Sequence, residues 1–491
     1  MTLFPLLKTV ITIPEIKLQD TKIGENKLVR FALRSYPVGV TIYDSDYDGW
    51  HEIRTDKPAP YDVIFLQQPR KRAKIPERAL CLRMIKACEP KNLDKNTRLA
   101  WLQHPALDDK MGPDEIVKSW DGIFRFREDR PDFGQPGLRT PQLGALHAIS
   151  AYFSVKNDLE PATIVLPTGT GKTETMLSVL VYRQLSKVLV LVPSNSLRDQ
   201  ISEKFLSLGY LSRLGLIPRE IALPAVVAVK KGIKSIAEAK MLLKHGNVFV
   251  ATASVLNCSH QGSVDRFCEG LSDLFVDEAH HISANTWAKI RDKFIGKRVV
   301  QFTATPFRNN GNALGGRIIY NYTMGEAQKA GYFRHINLIP VEEYYIGEGD
   351  ISIAQAAVGR LKADLKDGFD HLLMARVERK PRAADLLPLY QKLAPELNPI
   401  VVHSGMNKGM IRNALSALFS RESRIAICVN MLGEGFDLPS LKIAAIHDIH
   451  KSLAITLQFI GRFTRQKTEL GDASVVVNIA EPEVENGLQY P

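Results

Sequence analysis

Hydrophobic and polar positions divide the chain into two regimes. From about residue 160 onward, short β-branched runs alternate with helical segments: ATIVL (162–166), KVLVLVP (187–193), AVVAVK (225–230), NVFVATA (247–253), LFVDE (274–278) and RVVQFTAT (298–305). A second series follows at HLLMARV (371–377), PIVVHS (399–404), RIAICVN (424–430), IAAIHDI (443–449) and SVVVNIA (474–480). Near-continuous apolar strands separated by helices are what a parallel sheet covered on both faces requires, because neither face meets water. The two series predict two tandem α/β domains, with GGRIIYNYTMGEAQKAGYF (315–333) as the passage between them. The N-terminal part has mixed short strands and many prolines. It reads as an α+β accessory domain over 1–134, ahead of parallel-sheet domains at 135–325 and 326–491.

Composition bounds the reading without changing it. A chain of 491 residues fits about three domains at roughly 150 residues each. With 45% hydrophobic and 24% charged residues, it is neither fibrous, disordered nor a disulfide scaffold. The net charge of +11 and pI near 9.2 point to a polyanionic partner. That charge is uneven: residues 69–98 hold ten Lys/Arg against three Asp/Glu, and residues 105–132 hold five against eight. The basic stretch is either a solvated face or a phosphate-contacting patch.

No apolar run reaches the roughly 18 residues that would span a bilayer. The N-terminal stretch is broken by Pro5, Lys8 and Pro14, unlike a signal peptide. Five cysteines without a CxxC pair argue against a disulfide framework. Cys81, Met84, Ile85 and Cys88 fall at i, i+3, i+4, i+7, which predicts one face of a helix with its two thiols about 10 Å apart. The cysteines read as buried thiols of a cytoplasmic protein.

Three constellations carry chemistry. Leu166-Pro-Thr-Gly-Thr-Gly-Lys-Thr173 follows an apolar strand and precedes a helical segment. Small residues there let backbone N–H groups close around phosphate oxygens at a helix N-terminus. Pro167, Thr168, Gly169, Thr170 and Gly171 would form the cradle. Lys172 would reach the β/γ-phosphates of ATP, and the Thr173 hydroxyl would ligate Mg²⁺. The general pattern GxxxxGK(S/T) has Gly where this chain has Leu166.

Asp277 and Glu278 end another apolar strand in Val276-Asp-Glu-Ala-His-His281. Such a pair can divide two jobs, a carboxylate on the metal shell and a group that orients water. Further on, Gln458, Gly461, Arg462 and Arg465 recur at i, i+3, i+4, i+7 and share one helix face. That stripe is either solvent-facing or aimed at a γ-phosphate.

In this order and spacing, the blocks resemble the motor core of superfamily 2 helicases and translocases, with a DEAH-type second motif. Leu138-Arg-Thr-Pro-Gln142 resembles the adenine-recognising motif, with Arg139 and Gln142 on the nucleotide. Val192 to Gln200 resembles motif Ia, Ala251 to Ser254 motif Ic, and Phe302 to Pro306 motif III. Met374 to Val377 stands at motif IV, with Val402 to Gly405 at the next strand end. Leu432-Gly-Glu-Gly-Phe-Asp437 resembles motif V, and Gln458 to Arg465 motif VI.

The resemblance covers roughly residues 135–485 and implies two RecA-like domains. It implies ATP and Mg²⁺ as cofactors, with Lys172, Thr173, Asp277, Glu278, Gly435, Asp437, Gln458, Arg462 and Arg465 in one composite ATP site. It also implies nucleic acid contacts from Ser194, Thr252 and Ser404. Met431 departs from the Ser or Thr common in motif V, and with Leu166 implies a weaker phosphate grip without loss of ATPase activity.

RNA helicases of the DEAD-box type carry SAT in motif III and HRxGRxGR in motif VI. FTATP and QFIGRFTR resemble instead the DNA-directed branch that includes the motor subunits of type I and type III restriction enzymes. Single-stranded or forked DNA is therefore the implied track ahead of RNA, in a bacterial role of defence against foreign DNA, with no membrane partner. Two other readings stay open: a nucleic-acid-activated ATPase sensor gating a partner effector subunit, and an RNA helicase. A nuclease module in the N-terminal part is disfavoured. Pro60-Tyr-Asp62 resembles a PD-type acid, but no Glu-x-Lys follows on that strand.

Overall fold

The computed structural model describes residues 5–56, 61–69, 74–154, 160–279, 284–304, 314–332, 336–345, 347–403, 405–429, 438, 440–448 and 471–480. The chain divides into two compact units. One comprises Met1–Leu146, Thr173–Phe275 and Ala288–Arg298; the other comprises His147–Lys172, Val276–Trp287 and Val299–Pro491. Among the described residues, no helix is long and apolar enough to cross a membrane.

The first unit opens with a six-stranded sheet in the order Pro5–Ile13, Tyr36–Asp44, Trp50–Thr55, Val63–Gln67, Cys81–Met84, Leu99–Gln103. One face builds a core from Ile11, Ile13, Val40, Ile42, Ile53, Ile64, Leu66, Leu82, Met84 and Leu99. The segment predicted as a helix from the spacing of Cys81, Met84, Ile85 and Cys88 is instead the strand Cys81–Met84 and its exit. Leu82 and Met84 are buried and Arg83 is exposed. This period of two satisfies the core better than a helical stripe, and Leu99–Gln103 supplies the antiparallel partner.

The five thiols form no disulfide, and burial raises Cys81 to about 11 and Cys268 to about 12. Cys428 is buried as expected, but Cys88 is half-buried and Cys258 is exposed. The expectation of uniformly buried thiols fails at those two positions.

In the same unit the strands Val188–Val192, Val248–Thr252 and Val226–Val229 pair in parallel. Their side chains are nearly all buried, as the apolar runs predict. The N-terminal hairpin Ile16–Ile23/Asn26–Leu33 then adds to Val226–Val229 in antiparallel register. Two polar side chains seal this junction. Asn26, fully buried, accepts the N–H groups of Lys230 and Lys231 at 2.9 and 3.0 Å and donates to the Lys231 carbonyl at 3.1 Å. Arg30, 2% exposed, donates to the Leu223 carbonyl at 3.4 Å and is held in place by the Met111 carbonyl at 2.9 Å and the Asp109 carboxylate at 2.6 Å.

In the second unit, Ala162–Val165 lies between Arg298–Thr303 and Arg317–Asn321, parallel to both. The predicted passage between domains therefore begins with one more strand beside Ala162–Val165. A six-stranded sheet follows, entirely parallel, in the order Ile336–Val341, Ala473–Asn478, Leu441–Ile446, Leu372–Val377, Ile425–Val429, Ile400–His403. Its faces are covered by two apolar clusters, one around Leu361, Leu386 and Tyr390 and the other around Leu418 and Cys428. Every strand of both predicted series is present, and the mixed α/β fold with parallel sheets follows the pattern read from the sequence.

Candidate active site

The phosphate loop grows out of strand Ala162–Val165. Leu166 still belongs to the ladder: its N–H donates to the Thr303 carbonyl at 2.8 Å, and its side chain is fully buried. It needs no positive φ, so the glycine of the general pattern is dispensable here and Leu166 fills core volume instead. The left-handed burden falls on Gly169 (φ 93°) and Gly171 (φ 97°), where a side chain would be strained. Thr170 closes the turn, donating its hydroxyl to the Pro167 carbonyl at 2.7 Å. Helix Lys172–Tyr182 begins at the loop's end, with Lys172 at its first residue.

Asp277 closes strand Asp273–Asp277 and is 6% exposed. Its carboxylate accepts the N–H of Glu278 at 3.1 Å. Glu278 itself adopts φ 48°, a left-handed conformation that costs a non-glycine residue on the order of 1–3 kcal/mol. The turn aims its carboxylate at the phosphate loop, where Glu278 Oε1 lies 2.7 Å from Lys172 Nζ. Both side chains are largely removed from water, 9% and 13% exposed. The charges are therefore coupled far more strongly than a surface pair would be. Thr173 carries a hydroxyl and Asp277 a carboxylate, each an oxygen donor of the kind Mg²⁺ prefers.

Gln142 sits at the start of helix Thr140–Tyr152, 5% exposed. Its side-chain carbonyl accepts the Arg139 N–H at 2.8 Å, and its own N–H donates to the Arg139 carbonyl at 2.9 Å. The residue proposed to read a base thus also caps its own helix. Ser194 is likewise a cap, accepting the Leu197 N–H at 3.3 Å. Thr252 is 3% exposed, and its hydroxyl lies 3.0 Å from that of Ser254. Ser254 is the more open of the two, and the motif reading passed over it. Ser404, Met431, Gly435, Asp437, Gln458, Arg462 and Arg465 lie outside the described residues.

A network that no motif announced braces the parallel sheet of the second unit. Asp350 accepts from Arg382 at 2.6 Å and from His447 Nδ1 at 2.8 Å. The ring's other nitrogen, Nε2, then accepts the Tyr390 hydroxyl at 2.8 Å. Arg382 also reaches Asp448 at 3.3 Å, just past strand Leu441–Ile446. Burial opposes the charged form of Asp350, but hydrogen bonds from His447 and Arg382 outweigh it and hold the carboxyl below its ordinary value of 3.8.

Because the folded pKa is depressed, the stabilisation is complete above about 4 and is lost as pH falls through the folded value. Asp350→Ala should cost on the order of 3 kcal/mol at neutral pH. Thermal denaturation of wild type and variant from pH 7 down to pH 2 checks this: the gap should close at the acid end.

A phosphate loop and an acidic pair joined across strand ends, on parallel α/β sheets, define a P-loop motor core. Residues 135–308 match the family of type III restriction enzyme res subunits, and residues 370–467 match the conserved helicase C-terminal domain. The chain carries both domains of a superfamily 2 helicase core, which resembles the motor subunits of restriction enzymes.

Reverse gyrase 2 of Sulfolobus acidocaldarius is 33% identical over 109 residues, 20% of this chain and 9% of that protein. A fragment assigned as the HsdR subunit of a type I restriction enzyme from Vibrio vulnificus shares the fold. It has a TM-score of 0.51 and 15% identity, over 79% of this chain and 72% of that one. The type ISP restriction-modification enzyme LlaBIII bound to DNA aligns with a TM-score of 0.49 and 16% identity, over 70% of this chain and 27% of that one.

Proposed function

We propose that this chain is an ATP-dependent DNA helicase or translocase, and that Lys172, Thr173, Asp277 and Glu278 form its hydrolytic centre. The observation that carries the reading is the 2.7 Å pair between Lys172 and Glu278. It brings the phosphate-binding cation and the water-orienting carboxylate to one point. Lys172 would hold the β/γ-phosphates, the loop N–H groups would cradle them, and Glu278 would orient the attacking water. Bound Mg²⁺, held through Thr173 and Asp277, would neutralise charge on the phosphates. Gln142 would contact the base, and Arg139, Gly435 and Asp437 the nucleotide.

Arg462 and Arg465, with Gln458, would supply cationic charge that matters most in the transition state. Replacing either arginine by alanine should lower turnover about 10³-fold or more, with a modest change in ATP affinity. Equal losses of turnover and affinity would remove them from this role. On the nucleic acid side, Ser194, Thr252 and Ser404 would donate hydrogen bonds to successive phosphates, positioning a strand without reading its sequence. The restriction-enzyme relatives favour DNA as the track and a place in defence against foreign DNA, with an effector on another segment or subunit.

ATP-dependent displacement of a third strand from a DNA triplex, beside strand separation of a forked duplex, tests the motor reading. Displacement that is lost in Lys172→Ala is the expected result. DNA-stimulated hydrolysis with neither displacement nor separation would identify a sensor that gates a partner.

A further inference from the structure

Four cations of the basic stretch, Arg83, Lys86, Lys95 and Arg98, belong to one hairpin. In the ladder between Cys81–Met84 and Leu99–Gln103, Arg83 stands opposite Ala100 and Met84 opposite Leu99. The pairing continues one step further, with the Ile85 N–H donating to the Arg98 carbonyl at 3.0 Å. Leu82 and Met84 point into the core, so alternation turns Arg83 and Ile85 to the other face, with Arg98 across from them. Arg83, Lys86, Lys95 and Arg98 are exposed, and Ile85 between the arginines is 55% exposed.

The acids of the same hairpin are engaged elsewhere. Glu89 pairs with Lys91 at 2.8 Å, and Asp94 accepts from the Asn96 N–H and the Thr97 hydroxyl, both at 2.9 Å. Among the described residues, none of the four exposed cations forms an ion pair. Like charges set diagonally across two strands are destabilising by themselves, and a polyanion lying on them reverses that sign.

We infer that this face of the hairpin Cys81–Gln103 grips the sugar–phosphate backbone of duplex DNA. The inference rests on the reading of the chain as a DNA motor. Charge selects a nucleic acid, and the absence of any aromatic side chain at positions 83, 85, 98 and 100 selects the duplex, since single strands are held largely by stacking on rings. The grip has a firm mount. Thr12 donates its hydroxyl to the Lys95 carbonyl at 2.7 Å, and Trp101 donates its indole N–H to the Pro14 carbonyl at 2.9 Å. Two residues after Pro14 the chain enters the hairpin that pairs with Val226–Val229. Force on DNA held at Arg83 and Arg98 is thus passed to the sheet that carries Ser194 and Thr252.

The test is the salt dependence of binding by the full chain to a 30-base-pair blunt DNA duplex, the same single strand and an RNA duplex. Wild type is compared with Arg83→Gln/Arg98→Gln and with Arg83→Glu/Arg98→Glu. Loss of two phosphate contacts should reduce the slope of log K against log salt on duplex DNA by about 1.8. Melting temperature should hold or rise slightly and DNA-free ATP hydrolysis should be unchanged in the Gln variant, and the Glu variant should bind more weakly still. An unchanged slope on every nucleic acid would overturn the inference, as would a slope that changes only on single strands or RNA. A wild-type chain that binds no DNA at all would overturn the motor reading itself.

Discussion

Glu278→Gln should lower ATP turnover about 10²–10⁴-fold, the usual worth of a positioned acid–base group, without weakening ATP binding. The direction of the second effect follows from the pair with Lys172. In the wild-type protein the phosphates must compete with a carboxylate 2.7 Å away for the same ammonium. Glutamine keeps the shape but withdraws the competing charge, so Lys172 is left for the nucleotide and affinity should hold or rise severalfold. The same change leaves a buried ammonium without its counter-charge, so the protein without nucleotide should melt earlier and gain more from ATP than wild type does. Isothermal titration and single-turnover hydrolysis separate the two effects. A Gln variant that turns over normally would remove Glu278 from the hydrolytic centre.

Deleting residues 1–134 should cost the protein its fold rather than trim an appendage. The cut removes the strand paired to Val226–Val229 and with it the hydrogen bonds from Asn26 to Lys230 and Lys231 and from Arg30 to the Leu223 carbonyl. It leaves an apolar strand as an open edge, a template for aggregation. Buried polar groups that lose their partners cost roughly 1–3 kcal/mol each, against a total stability of about 5–15 kcal/mol. Fragment 135–491 should therefore be recovered aggregated or with a melting transition far below that of the whole chain. A soluble fragment with the wild-type transition would contradict this. The function of the N-terminal sheet is better probed by surface substitutions such as those at Arg83 and Arg98.

Much of this was legible in the residues, for physical reasons that differ by element. The strands Val188–Val192 and Ile425–Val429 are buried along their whole length, so they had to be uninterrupted apolar runs. The phosphate loop announces itself because chemistry confines glycine, lysine and threonine to one local spacing.

The hairpin Ile16–Leu33 did not announce its partner. Its burial follows no clean alternation, two of its buried residues (Asn26 and Arg30) are polar, and its register with Val226–Val229 is set by contacts from a distant part of the chain. Cys81 to Cys88 misled because four apolar residues fit a helical stripe by spacing alone, and Arg83 between them fits the polar face of a helix or a strand equally; the antiparallel partner Leu99–Gln103 decides it. The resemblance put Lys172 and Glu278 in one ATP site but did not announce the ion pair between them. The network of Asp350, Arg382 and His447 is non-local too: its residue types were visible, but not their meeting.

The most direct measurement of the central claim is the rate of Mg²⁺-dependent ATP hydrolysis by the full chain with single-stranded DNA, duplex DNA, forked DNA and RNA in parallel, each repeated with Lys172→Ala. The expected result is hydrolysis that rises on DNA, most on single-stranded or forked forms, and vanishes in the variant. RNA as the best activator would contradict the assignment to DNA, and hydrolysis that survives Lys172→Ala would contradict the site.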